Sequence, residues 1–142
     1  MIIPDVNLLV YAYNADAPAH APAKSWLEEI MNAQRPIGLP WVAILGFIRL
    51  MSHPKVLNEP LRPKAAFHHV GYWLGRAHVQ ILDPGPRHFS ILQELLVSLG
   101  VAANLTTDAH LAAIAIEYQA ELCSNDADFA RFSGLRWSNP LC

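Results

Sequence analysis

Four aspartates stand where charged side chains are otherwise scarce. Asp5 interrupts the apolar run MIIPDVNLLVYAYN, with Asn7 two residues on; Asp108 lies in TTDAHLAAIAIEYQ; Asp126 and Asp128 follow AELC in SNDADF. An ionised carboxylate buried without a partner is expensive, so Asp5 must face something. Each residue has an ordinary explanation: Asp5 as cap of a helix beginning near Asn7, Asp108 as a favourable first-turn charge, Asp126 as cap of the NDADF turn. Caps, however, have no reason to share one end of a sheet. If the chain brings the four together, their repulsion raises their pKa values unless a cation offsets it. Magnesium or manganese, hard and oxygen-preferring, is the natural cation.

The elements that must position these residues alternate between strand and helix. Strands are expected at residues 1–6, 36–40, 79–82, in AELC and in LRW; helices at 22–33, 41–51, 62–77, 87–99 and in TTDAHLAAIAIEYQ. Pro4 is tolerable only near a strand end or on an edge. The expected inward faces are Trp26, Leu27 and Ile30; Ala66, Val70, Trp73 and Leu74; and Ile91, Leu92, Leu95, Leu96 and Leu99. In the last long helix Leu111, Ile114, Ala115 and Tyr118 face inward, Thr106 or Thr107 is the cap, and Asp108 points with Leu111, Ala112 and Ala115. Repeated β-α-β units give an α/β fold with a mainly parallel sheet and helices on both faces. Ligands of such sheets bind outside the carboxyl ends of the strands, where Asp5 and Asp126 are both placed.

At 142 residues, without repeats or linker-like runs, the chain is expected to be a single domain spanning 1–142. Apolar residues make up 53% and charged residues 15%, which calls for a large core, a partner-covered surface, or both. Cys123 and Cys142 indicate neither a zinc site nor a disulfide framework. With no signal peptide and no apolar stretch long enough for a bilayer, the expectation is a soluble, cytoplasmic protein. Between Arg49 and Arg87 six cations face two acids, Glu59 and Asp83, so this segment carries about four net positive charges. It is either an ordinary solvated face or a phosphate-binding surface.

PDVNLLVYA, TTDAHLAAIA and CSNDADFARF resemble, in order and approximate spacing, the motifs of PIN-domain ribonucleases, particularly bacterial VapC toxins. The resemblance covers essentially the whole chain. It implies a PIN-like α/β/α sandwich, a Mg2+- or Mn2+-dependent endoribonuclease acting on RNA, a cognate VapB-type antitoxin and a homodimer. By position Asp5, Asp108 and Asp126 match family acids and become the expected catalytic and metal-binding residues. Asp128 matches an additional acidic position, and Asn7 and Ser124 match supporting polar residues. Arg49, Lys55, Arg62 and Lys64 are the expected RNA contacts, with an ion pair to the aspartates as a second role for Arg49.

One family position is missing. The second acid, usually a glutamate in the helix after the second strand, aligns with Gly46 in WVAILGFIRL, and that helix holds no carboxylate. This leaves open an alternative: a non-catalytic RNA- or antitoxin-binding module of the same fold. A phosphatase or phosphoacceptor of the doubly wound type is a third reading, but its phosphatase form needs an aspartate where Asn7 stands. The adjacent His68 and His69 diverge by about 100° on a helix and do not readily share a metal. His110 could touch RNA or pack between helices.

Overall fold

The computed structural model describes residues 1–142. Five short strands form one sheet: β1 (Ile2–Pro4), β2 (Ile37–Pro40), β3 (Val79–Leu82), β4 (Glu121–Cys123) and β5 (Arg136–Ser138). The helices are α1 (Val6–Tyr13), α2 (His20–Asn32), α3 (Trp41–Met51), α4 (Pro63–Leu74), α5 (His88–Leu99) and α6 (Thr106–Glu117). The sheet is parallel throughout, in the order β3-β2-β1-β4-β5. Pro4 and Pro40 end interior strands. The chain therefore builds outward from β1 to β3 and then returns to add β4 and β5 on the other side. Between β1 and β4 the connections diverge, which opens a crevice at the carboxyl ends of these two strands.

Strand alternation divides the core. Ile2, Ile37, Leu39, Val79 and Cys123 face one apolar layer shared with α1 to α4. Ile3, Leu82 and Leu122 face another, shared with α5, α6, Phe129 and Phe132. Successive strand residues thus serve opposite layers, as a sheet covered on both faces requires.

Helix phase departs from expectation in three places. In α2 the buried stripe is Ala23, Leu27 and Met31, spaced by four residues, while Trp26 and Ile30 are half-buried. The helix α6 has no side-chain cap: Leu105 precedes it and Thr106 is already helical, because a 3₁₀ turn at Ala103–Leu105 leads in. Tyr118, expected inside, is exposed and donates its hydroxyl to the Asp83 carbonyl at 2.8 Å. No helix is long and apolar enough to cross a membrane.

Candidate active site

The crevice between β1 and β4 brings together segments separated by almost the whole chain. Asp5 leaves β1 in extended conformation and caps α1, its Oδ1 accepting the Val6 N–H at 2.7 Å. Its backbone N–H donates to the Cys123 carbonyl, so the ends of the two strands are tied together. Ser124, fully buried, donates its hydroxyl to Asp5 Oδ2 at 2.7 Å. The same hydroxyl oxygen accepts from Asn7 Nδ2 at 3.2 Å and from the Asp126 N–H at 3.0 Å. Asp126 in turn caps the 3₁₀ turn Ala127–Arg131 by accepting the Asp128 N–H. The capping explanations of Asp5 and Asp126 are therefore correct, and the two caps nevertheless meet at one sheet end.

Asp108 joins them from the first turn of α6, half-buried. Its carboxyl is pushed up to about 6, first by burial and then by the charges of Asp126, Asp5 and Asp128. Burial also raises Asp5, against the hydrogen bonds from Ser124 and Val6, and the charge of Asp126 adds to the rise. No basic side chain answers this charge: the molecule's one ion pair, Arg35 to Glu121 at 3.2 Å, lies at the opposite end of β4. Clustered carboxylates without a countercharge are acceptor-only oxygens of the kind a hard divalent cation prefers. In the geometry described, no three histidine, cysteine, aspartate or glutamate side chains are disposed to hold one ion. Asp5 already uses both carboxylate oxygens, and Asp126 one, in hydrogen bonds within the chain.

The position of the missing acid is closed by packing. Gly46 is buried on α3, and a Cβ there would stand 2.7 Å from Val6 Cγ2 and 3.3 Å from Cγ1. Valine is stiff at χ1, and Val6 supplies the N–H that fixes Asp5. A side chain at 46 therefore presses on the residue that orients the first acid.

Arg49 is exposed, makes no salt bridge, and lines an open cleft with Val42, Leu45, Gly46 and His110. Of its two expected roles, ion pairing with the aspartates is not observed. Lys55, Arg62 and Lys64 are exposed in the segment after α3 and the start of α4, outside that cleft. Among the histidines, His69 packs its ring on Tyr13 at 4.3 Å between centroids. His110 bonds through Nδ1 to His88 Nε2 at 2.9 Å.

Three contributors escaped the sequence reading. Trp137 donates its indole N–H to the Ser124 carbonyl at 3.0 Å, and Asn139 binds the Asn125 side chain, so β5 and the residue after it brace the loop after β4. Their position in LRWSNP, within and just after a strand parallel to β4, was the available signal. His88 carried no signal at all, because its partner lies 22 residues away on another helix.

The family model described as the PIN domain matches residues 2–135. Ribonuclease VapC33 of Mycobacterium tuberculosis is 46% identical over 141 residues, covering 99% of each chain. Ribonuclease VapC37 of the same organism is 39% identical over 140 residues, covering 99% of this chain and 97% of its own. Among solved structures, VapBC2 of Rickettsia felis bound to a promoter DNA fragment superposes with a TM-score of 0.70 at 21% identity, covering 98% of each chain. Mycobacterium tuberculosis VapC20, described as a sarcin-ricin loop cleaving toxin, gives 0.70 at 16% identity, covering 96% of this chain and 99% of its own. At these identities the structural matches speak for the fold.

Proposed function

The chain belongs to the PIN-domain family as a full-length relative of VapC ribonucleases, and from that premise we propose that it is a Mg2+- or Mn2+-dependent endoribonuclease, the toxin of a type II toxin-antitoxin pair. The observation that carries the reading is the set of Asp5, Asp108, Asp126 and Asp128, whose charges act on one another with no basic side chain opposed to them. Such a site repels a phosphodiester unless a cation stands between them. Asp5, Asp108 and Asp126 are the residues to hold it. A bound divalent ion supplies Lewis acidity toward the phosphate and a water of lowered pKa.

The chain's own part is orientation. Ser124 directs one Asp5 oxygen and the Asp126 backbone, Asn7 fixes the Ser124 hydroxyl, and Val6 holds the other Asp5 oxygen. Asp128, exposed in the turn that Asp126 caps, adds charge. The exposed cations Arg49, Lys55, Arg62 and Lys64 serve RNA phosphates. Structured RNA such as tRNA or rRNA is the substrate class, with inhibition of translation and growth as the consequence. A cytoplasmic homodimer restrained by a VapB-type antitoxin completes the reading; its support is the recurrence of VapBC complexes among chains of the same fold.

Gly46 favours one competing reading, a binding module of the same fold that has lost turnover. Because Val6 fills the space beside Gly46, inserting glutamate there is a poor way to decide between the two. The decisive assay is cleavage of total RNA by antitoxin-free protein in magnesium, manganese or EDTA, with Asp5→Asn prepared identically. Metal-dependent cutting that disappears in Asp5→Asn is expected. Equal inertness of both proteins, with RNA still bound, selects the binding module.

A further inference from the structure

Beside the carboxylates lies a histidine with no role so far. His110, on α6 two residues beyond Asp108, lines the cleft against α3 together with Val42, Leu45, Gly46 and Arg49. This cleft adjoins the acidic site, because Gly46 packs on Val6 and Val6 holds Asp5. Its floor is apolar, and its nitrogen groups are the Arg49 guanidinium and the His110 ring.

The proton on His110 can be assigned from its neighbour. His88 Nε2 and His110 Nδ1 are 2.9 Å apart with ring planes at 80°, so one donates to the other. His88 Nδ1 is the only enclosed side-chain nitrogen or oxygen in the molecule without a hydrogen-bond partner. If His110 were the donor, neutral His88 would carry its own proton on that enclosed Nδ1, and an N–H would be buried with no acceptor. If His88 donates, only a lone pair is left there, and orphaned buried N–H groups are the rarer and costlier case. His88 Nε2–H therefore donates to His110 Nδ1. The neutral His110 ring then has its proton on Nε2, which has no partner within the chain and is not enclosed.

We propose that His110 Nε2–H and Arg49 together hold a backbone phosphate of the RNA in this cleft, and that His88 is the positioning residue that keeps the His110 proton on Nε2. The apolar floor of Val42 and Leu45 leaves such a phosphate few competing partners, while Gly46 keeps the wall low. The inference rests on the ribonuclease reading and gives the missing-acid side of the site a task of its own. The residue pair is specific in form: a hydrogen-bond donor and a permanent cation lining one cleft, suited to an anionic oxygen such as that of a phosphate and not to a cationic ligand.

The test is steady-state cleavage of one RNA substrate by wild type, His110→Ala, His110→Gln and His88→Phe in magnesium, with a melting curve for each. His110→Ala and His88→Phe are expected to raise KM about tenfold, the loss of one hydrogen bond to a charged oxygen, with the smaller part of the change in kcat. His110→Gln, whose amide N–H reaches a similar place, recovers most of that loss. The His88→Phe protein should melt within a few degrees of wild type, since the lost bond to His110 is offset by removal of the enclosed Nδ1 that had no partner. Wild-type cutting with KM unchanged in both His110→Ala and His88→Phe overturns the proposal while leaving the nuclease reading intact. A KM loss that follows melting temperature across the set, without recovery in His110→Gln, reduces the pair to packing. A wild type that cuts nothing overturns the nuclease reading, and this inference with it.

Discussion

The two ends of β4 carry carboxylates that the fold treats in opposite ways. At its start Glu121 accepts the Ser138 hydroxyl at 2.7 Å and faces Arg35 at 3.2 Å, and these partners hold its carboxyl below the usual value. Beyond its end, Asp5 accepts a hydroxyl and a backbone donor and Asp126 a backbone donor, Asp108 has neither, none of the three has a cation, and Asp5 and Asp108 are pushed upward. Three residues of strand separate a paired acid from an unanswered set. The lesson is that chain-internal hydrogen bonds fix where the Asp5 and Asp126 carboxylates point without neutralising them, and Asp108 adds its charge from α6. That is the arrangement of a site awaiting charge from outside, whereas Glu121 is a structural acid with its needs met.

The contrast is broken most severely at Ser124. Its hydroxyl is shared by Asp5, Asn7 and Asp126. Ser124→Ala leaves three half-buried polar groups short of a partner and is expected to cost about 2–3 kcal/mol in urea unfolding at pH 7. Next comes Gly46→Ala, which forces a methyl onto Val6 and is expected to cost about 1–3 kcal/mol. If it costs nothing, Val6 yields freely and a glutamate at 46 becomes admissible after all.

Smaller effects differ in sign between the two ends. Asp108 is raised from the ordinary carboxylate value to about 6, so the folded chain holds a proton that the unfolded chain has released between pH 4 and 6. Stability therefore falls as pH rises through that window. Asp108→Asn in EDTA should melt about 2–4 °C above wild type at pH 7, a modest gain because the side chain is only half-buried, and lose its advantage near pH 4. Glu121 behaves inversely: its lowered pKa adds stability above the unfolded value that disappears as pH falls through the folded one. Glu121→Gln should cost under about 1 kcal/mol at pH 7 and nothing well below pH 4, since the pair with Arg35 is largely solvated.

Much of this was legible before folding. Short β-rich runs marked all five strands, Pro4 and Pro40 helped to place the ends of the first two, and the three acidic segments fell at strand ends or a helix start. Helix phase was legible to within one residue where one face is polar, as in α2, and failed where none is. In α6 the six residues Ala109 and Leu111 to Ala115 are all buried, so periodicity contained no direction from which to place Tyr118. The Ser124 bond to Asp5 spans 119 residues and the His88 bond to His110 spans 22. Neither follows from spacing, because each depends on how strands and helices pack. The reason for glycine at 46 is likewise invisible until α1 and α3 meet at Val6.

The central claim is that a divalent cation is the charge missing from the Asp5, Asp108 and Asp126 end of the sheet. It is tested most directly by melting the antitoxin-free protein at pH 7 in EDTA and with manganese titrated to millimolar excess, alongside Asp108→Asn and Glu121→Gln. A ligand bound only by the folded state raises the melting temperature with its concentration. Wild type and Glu121→Gln should rise together while Asp108→Asn stays nearly flat. Flat curves for all three, or equal rises in all three, would contradict the account.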